Sequence, residues 1–433
     1  MTSPSGPASV ADGLAAALEP VLGAPVEITG LRKLTGGASR ETWSFSAGGE
    51  ELILRRDPPA RPNAPGAMRR EADVMRACTR AGLRAPEVLL DDDGTRLGTQ
   101  GLVMRRVPGE TIARRILRDE EYAAARAVLV DQLGRFLAGL HSIDPAEVPG
   151  AEAPDPLVVW SKYERLEQHS AVFDRVHAWL LEHEPPRRAD TLIHGDLRMG
   201  NVIVDHDGLA AVIDWELVHR GDPHEDLAWL CLKAWRFGAP HEVGGLGSMH
   251  ELVRAYEAGG GVSPDPERLR WWLVAKTLMW GIGCMLQAQT HLSGRVRSVD
   301  LAAVGRRTAE QEWDLIELLA PEACAAARIA PAAPRVADDA SHHGRPTARE
   351  LLDTVREFLT DRVASSDDPG LAYEGRVAAN VLATVERELA QAPVERSGDD
   401  WDTLALLVRD RLAVASPKHL ALAPTIIERG DAP

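Results

Sequence analysis

Between residues 192 and 215 the chain reads LIHGDLRMGNVIVDHDGLAAVIDW. Asp196 and Asn201 stand five positions apart and Asp214 follows thirteen later, with Asp207-Gly208 between them. Asp-Gly flanked by short apolar runs signals a β-hairpin. Val202, Ile203, Val204, Val212 and Ile213 would pin that hairpin to a core. The fold must therefore hold two carboxylates and an amide around one hairpin, facing a common space. Moving a phosphoryl group needs this inventory, because the work is positioning and charge neutralisation more than covalent help. Mg²⁺ takes oxygen ligands and keeps several waters, so Asn201 and Asp214 plus phosphate oxygens would suffice as its ligands. Asp196 would orient an acceptor hydroxyl and take its proton.

The residues before this stretch read as a small mixed lobe. A short helix is expected over 11–22. A strand–turn–strand follows, with Gly36, Gly37 and Ser39 in the turn, where backbone N–H groups can approach a phosphate. The strand ELILRR ends in Arg55 and Arg56, and the helix over 68–80 carries Glu71, placed to pair with Arg55. Strands over 86–90 and 102–107 flank Asp91-Asp92-Asp93-Gly94, whose acids read as turn formers. Pro108-Gly109 marks a linker. Beyond it the periodicity turns helical, with helices expected over 121–143, 163–181, 252–258, 271–290 and 299–319. Another is expected to open near Asp222-Pro223-His224-Glu225-Asp226.

Residues 326–345, rich in Ala and Pro, read as a linker, and His342-His343 within it as a solvated pair. Thr347 and Glu350 form a capping box. They open the first of three amphipathic helices, over 347–363, 371–389 and 401–414. The unit 346–415 is expected to dock on the main lobe or on another subunit, so that self-association or partner docking through it is anticipated. Removing 345–433 is expected to lower stability or change assembly and to leave the chemistry of Asp196 in place. The division is thus 1–24 arm and helix, 25–107 nucleotide-binding lobe, 108–325 catalytic and acceptor-binding lobe, 326–345 linker, 346–415 helical unit and 416–433 tail.

Composition narrows the partners. With 49 basic and 65 acidic residues the net charge is −16, which disfavours nucleic acid and anionic membranes. The four cysteines, Cys78, Cys231, Cys284 and Cys324, form no CxxC pair and read as reduced, buried thiols in a cytoplasmic protein. The start has no basic region followed by an apolar run. The most apolar long stretch, 271–287, is interrupted by Lys276 and reads as a core helix rather than a membrane span.

These motifs resemble those of the aminoglycoside phosphotransferase and choline-kinase-like families, relatives of protein kinases. The family signature H-G-D-x4-N reads here His194-Gly195-Asp196-Leu197-Arg198-Met199-Gly200-Asn201. I-D-[WF]-E reads Ile213-Asp214-Trp215-Glu216, and D-P-x-x-D-L-A reads Asp222 to Ala228. The resemblance covers roughly 25–325. It implies an α+β, bilobal protein-kinase-like fold with a small β-rich N-lobe and a mainly helical C-lobe, extended by a C-terminal three-helix domain. It implies an ATP- and Mg²⁺-dependent kinase acting on a small-molecule hydroxyl. Asp196 would be the catalytic base, His194 a catalytic-loop residue, Asp226 the residue that steadies that loop, and Asn201 and Asp214 the metal ligands. Gly36, Gly37, Ser39, Arg55 and Glu71 would serve the nucleotide phosphates, and Met104 and Arg106 the adenine hinge. Arg55 stands where the fold usually has lysine, and in this it looks like the kinase-like domain linked to some acyl-CoA dehydrogenases. Two acceptor classes follow: an aminoglycoside, met by carboxylates, or a metabolic hydroxyl compound such as a hydroxyacyl-CoA, met by cations for which Arg114, Arg115 and Arg236 are candidates. A nucleotide-binding pseudokinase serving as an interaction module is the alternative.

Overall fold

The computed structural model describes residues 7–23, 25–34, 40–59, 63–188, 190–336, 345–392, 394 and 396–424. The turn holding Gly36, Gly37 and Ser39 lies outside these residues, as do His342 and His343.

The N-terminal lobe is a five-stranded antiparallel sheet between two helices. Helix α1 (Pro7–Leu22) precedes strands β1 (Thr29–Lys33), β2 (Glu41–Ala47) and β3 (Glu50–Arg56). Helix α2 (Ala67–Arg80), β4 (Val88–Asp93) and β5 (Gln100–Arg105) complete the lobe, in the order β1-β2-β3-β5-β4. Strand alternation sorts β3 between the two faces. Leu52 and Leu54 pack with Leu14, Leu18, Phe45 and Val103 under α1. Ile53 and Arg55 point the other way, opposite Met104 and Leu102 of β5, toward α2. A one-residue slip would turn Arg55 away from the catalytic lobe. Asp91 to Asp93 belong to β4 itself. The turn is still organised by these acids, with Asp92 accepting from the N–H groups of Gly94 and Leu97.

The C-terminal lobe is mainly helical, with α3 (Ala113–Arg118), α4 (Ala123–His141), α5 (Trp160–Tyr163) and α6 (Ala171–Glu182) first. Strand β6 (Thr191–Ile193) pairs with β9 (His219–Gly221), and β7 (Val202–Asp205) with β8 (Gly208–Val212). Then come α7 (His224–Cys231), α8 (Met249–Ala258), α9 (Pro266–Leu292), α10 (Val299–Arg306), α11 (Thr308–Leu319) and α12 (Pro321–Ile329). The expected hairpin is β7–β8, but its turn is His206-Asp207, one residue earlier than expected, since Gly208 opens β8 opposite Asp205. The apolar stretch over 271–287 is the core of α9, and its Lys276 is buried against Glu225. Among the described residues no helix is long and apolar enough to cross a membrane. All four cysteines are buried and unpaired, and burial pushes the Cys78, Cys231 and Cys284 thiols up to about 12.

Two expected helices take other bounds. The one over 163–181 starts only at Ala171, as α6 following the short α5, because Ser170 caps α6 through the Phe173 N–H while its own backbone bonds the Tyr163 hydroxyl. The one over 299–319 bends at Arg307 into α10 and α11.

The C-terminal helices α13 (Ala348–Phe358), α14 (Pro369–Ala390) and α15 (Trp401–Ala415) are present, but they do not form one independent bundle. Helices α13 and α14 pair as a hairpin, and α13 buries none of its residues fully. Helix α15 instead packs on α11 and α12, and its Leu404, Ala405, Val408 and Leu412 belong to the main lobe's core.

Candidate active site

The loop 194–201 connects β6 to β7, and backbone hydrogen bonds set its shape. Asp226, on α7 and fully buried, accepts from the N–H of His194 at 2.8 Å and of Gly195 at 2.9 Å. His141 Nε2 approaches the same carboxylate at 3.3 Å, and the Tyr256 hydroxyl meets His141 Nδ1 at 2.9 Å. Burial alone would raise Asp226, but His141, His194 and the Gly195 N–H outweigh it and hold the carboxyl below its ordinary range. Gly195 has φ +82°, and a Cβ there would lie 2.8 Å from the Leu217 carbonyl, so this turn requires glycine.

His194 has no exposed surface. Its Nε2–H donates to the Ile213 carbonyl at 3.0 Å and its Nδ1 accepts from the Asp196 N–H at 3.2 Å. Burial pushes it down, which keeps it neutral, as one donating and one accepting nitrogen require. The family motifs place His194 in the catalytic loop and Asp226 as the residue that steadies it. Both are buried beneath the loop, with their polar atoms bonded to the backbone around Asp196 and Asp214. Asp226→Ala would leave two buried N–H groups unpaired. The expected loss is about 2–5 kcal/mol of stability, read by chemical denaturation.

Above this foundation Asp196 is partly exposed. Its Oδ2 accepts from Asn201 Nδ2 at 2.7 Å, and its Oδ1 from Trp229 Nε1 at 2.9 Å and Arg198 Nε at 3.2 Å. Asn201 Nδ2 also donates to the Asp196 carbonyl at 2.8 Å. With its nitrogen so engaged, the Asn201 amide oxygen is the atom left to face a cation. Across the hairpin, Asp214 adopts φ 66°, a left-handed backbone uncommon for aspartate, which re-aims its side chain at the end of β8. Its Oδ1 accepts from Arg55 at 2.7 Å. Among the described residues no group of three or more His, Cys, Asp or Glu is arranged to hold a metal. One amide and one carboxylate oxygen nonetheless fit Mg²⁺, whose remaining positions go to phosphate oxygens and water.

Arg55 bridges the lobes. It lies 2.7 Å from Asp214 and 3.5 Å from Glu71 on α2. Burial pushes the guanidinium down, but Glu71 and Asp214 outweigh that and hold it above its ordinary value. Glu71 has a second partner that the sequence reading missed. Arg40, buried at the start of β2, pairs with both Glu71 and Asp57, and its Nε lies 3.9 Å from Glu216. Burial raises Glu71 even with two guanidiniums beside it. A cation immediately after a Gly-rich turn was the available signal.

The two hinge residues are not drawn into this group. The Met104 side chain is buried in the core with α2, and Arg106 is exposed and turns to Glu51, 3.5 Å away. A cavity of about 390 Å³ opens beside the loop, lined among others by Gly195, Glu216, Leu217, Trp272 and Lys276.

An aspartate, an asparagine and a second aspartate held around a hairpin under a sheet-borne cation are the working parts of a kinase fold. Residues 30–272 match the profile of the APH, or phosphotransferase enzyme, family. The chain belongs to this family. Over 307 residues, 64% of its length, the phosphotransferase is 28% identical to mouse acyl-CoA dehydrogenase family member 10. It is 30% identical over 197 residues to streptomycin 3''-kinase of Streptomyces griseus, covering 42% of this chain and 69% of that one. The chain spans about 28% of the mouse relative's length. A solved Ralstonia eutropha protein assigned to the aminoglycoside phosphotransferases shares the fold. Its TM-score is 0.56 at 20% identity, over 69% of this chain and 95% of that one.

Proposed function

We propose that the phosphotransferase moves the γ-phosphoryl group of ATP to a hydroxyl of a small molecule, with Mg²⁺. The observation that carries this reading is the convergence of Asp196, Asn201, Asp214 and Arg55, contributed by both lobes, on one partly exposed space. Bound Mg²⁺ would be held by Asn201 and Asp214 and would neutralise phosphate charge. The acceptor hydroxyl donates its hydrogen bond to Asp196. Its oxygen forms the new P–O bond as the bond to the β-phosphate oxygen breaks, and its proton passes to the Asp196 carboxylate. Arg55 is the cation for the ATP phosphates, delivered to them by Glu71 and Asp214. Its planar fork can contact two phosphate oxygens where lysine contacts one. Arg55→Ala is expected to raise the KM for ATP about tenfold or more, and Arg55→Lys to restore part of it, read from initial rates against ATP concentration.

For the acceptor, our reading favours a metabolic hydroxyl compound, of which a hydroxyacyl thioester is one example, over an aminoglycoside. Its support is the reach of the alignment with acyl-CoA dehydrogenase relatives, which covers more of this chain than that with streptomycin 3''-kinase. The cations first considered for a CoA are not its basis. Arg115 is taken by Glu110, Asp119 and Glu121, and Arg236 is fully buried and donates to the Ala423 carbonyl. The test is phosphate transfer from ATP·Mg²⁺ to a panel of hydroxylated metabolites and aminoglycosides, run beside Asp196→Ala. Transfer by wild type to at least one acceptor, lost in the variant, is expected. Equal rates on every acceptor would sink the assignment.

A further inference from the structure

Asp196 receives an unusual donor. Trp229, one turn into α7 and almost fully buried, gives its indole N–H to Asp196 Oδ1 at 2.9 Å. With Arg198 on the same oxygen and Asn201 on the other, the carboxylate is fixed in one rotation about its terminal bond. Trp229 is not alone. Its ring lies 5.3 Å from that of Trp235 and 6.5 Å, edge on, from that of Trp280, and Trp235 and Trp280 are 4.8 Å apart. The Arg198 guanidinium stacks over Trp235 at 5.0 Å, and Lys276 Nζ lies 5.4 Å from the Trp229 ring centre. Trp280 is the ring that remains partly exposed. The indole nitrogens of Trp235 and Trp280 are buried without a hydrogen-bond partner in the protein, although buried indole N–H groups ordinarily find one.

We infer that Trp229 is a positioning residue for Asp196, backed by the buried Trp235, and that Trp280, the partly exposed ring of the cluster, is the aromatic surface the acceptor meets beside its reacting hydroxyl. The inference rests on the proposed function. Its physical basis is that the Trp229 N–H and Arg198 both hold Asp196 Oδ1, while Trp235, Trp280 and the Glu225-paired Lys276 hold the Trp229 ring.

The test uses the full chain, with acceptor-independent ATP hydrolysis as one readout and transfer to three sets of alcohols as another. The sets are aryl and alkyl alcohols, hydroxy acids, and polyamino alcohols. Trp229→Phe keeps the ring and removes the N–H. It is expected to lower kcat about tenfold with KM for ATP unchanged, and to cost nothing further in an Asp196→Ala background. Trp280→Ala is expected to raise the KM of uncharged acceptors while leaving kcat near wild type. In the unmutated chain the Trp229 indole NMR signal is expected to move on Asp196→Ala, a readout that survives if Trp229→Phe fails to fold. Two results overturn the inference while leaving the function standing: equal loss from Trp229→Phe with and without Asp196 together with an unmoved indole signal, or an unchanged KM for every acceptor in Trp280→Ala. Failure of the function itself looks different, with wild type and Asp196→Ala hydrolysing ATP equally and neither modifying any alcohol.

Discussion

Asp196→Asn is expected to lower kcat for phosphate transfer by about a thousandfold, with the KM for ATP little changed and the fold intact. The substitution is nearly isosteric, so an asparagine oxygen can still accept from Asn201 or from Trp229. What disappears is the charge that, in the proposed mechanism, orients the acceptor hydroxyl and takes its proton late in transfer. Asp196 makes no contact with the Arg55–Glu71 pair that prepares the phosphate side, so nucleotide binding has no reason to suffer. Initial rates at saturating ATP, with a melting curve for each protein, separate the two contributions. A residual rate within tenfold of wild type would remove Asp196 from the role of base. Position alone would then have to explain the acceleration, as it does in part for any phosphoryl transfer.

The contrast between Asp196 and Arg55 shows which parts of the site were legible in the sequence. Asp196, Asn201 and Asp214 were readable because one loop and one hairpin bring them together, and a short stretch carries its own geometry. Arg55 was readable as a strand-end cation, and its pairing with Glu71 as a possibility. Its stronger contact with Asp214 spans 159 positions and depends on how the lobes meet. Arg40 went unnoticed because a cation beside a turn usually faces solvent, and here Asp57 and Glu71 bury it. His194 and Asp226 were found as motif members, but their depth was invisible. Hydrogen bonding to loop N–H groups makes them part of the scaffold, and no spacing rule separates a buried member of a motif from an exposed one. Trp229 was hidden for a related reason, since an indole in an apolar helix reads as core. The helix α15 exposes the same limit at the level of the fold. Its apolar stripe announced burial but could not name the surface that buries it.

That last point changes what removal of the C-terminal region should do. Truncation after residue 400 is expected to abolish folding of the catalytic lobe, where the sequence alone had suggested a stable core with lowered stability. Leu404, Val408 and Leu412 are at most 3% exposed, and stripping away three such side chains forfeits about 1.5–3 kcal/mol each. The charges left behind add to this. Arg411 lies 2.8 Å from Glu312, and His419 lies 2.7 Å from Asp314, both acids being almost fully buried on α11. Arg411 is half exposed and Asp314 keeps Lys233 at 3.3 Å, so these losses are smaller than for a fully buried lone pair, about 1–3 kcal/mol each. Arg409 also donates to the Ala327 and Ala330 carbonyls, closing the end of α12. The sum exceeds a large part of the roughly 5–15 kcal/mol that holds a native protein together. The effect would reach the active site as well, because the Ala423 carbonyl accepts from Arg236, next to Trp235. The control is excision of the α13–α14 hairpin alone, with a short flexible segment joining 336 to 396. Helix α13 buries no residue completely and pairs chiefly with α14, so that variant should fold and keep its ATP chemistry. Circular dichroism and melting of the two variants decide the matter: a folded truncation at 400, or an excision that unfolds, would reverse the roles assigned to α15 and the hairpin.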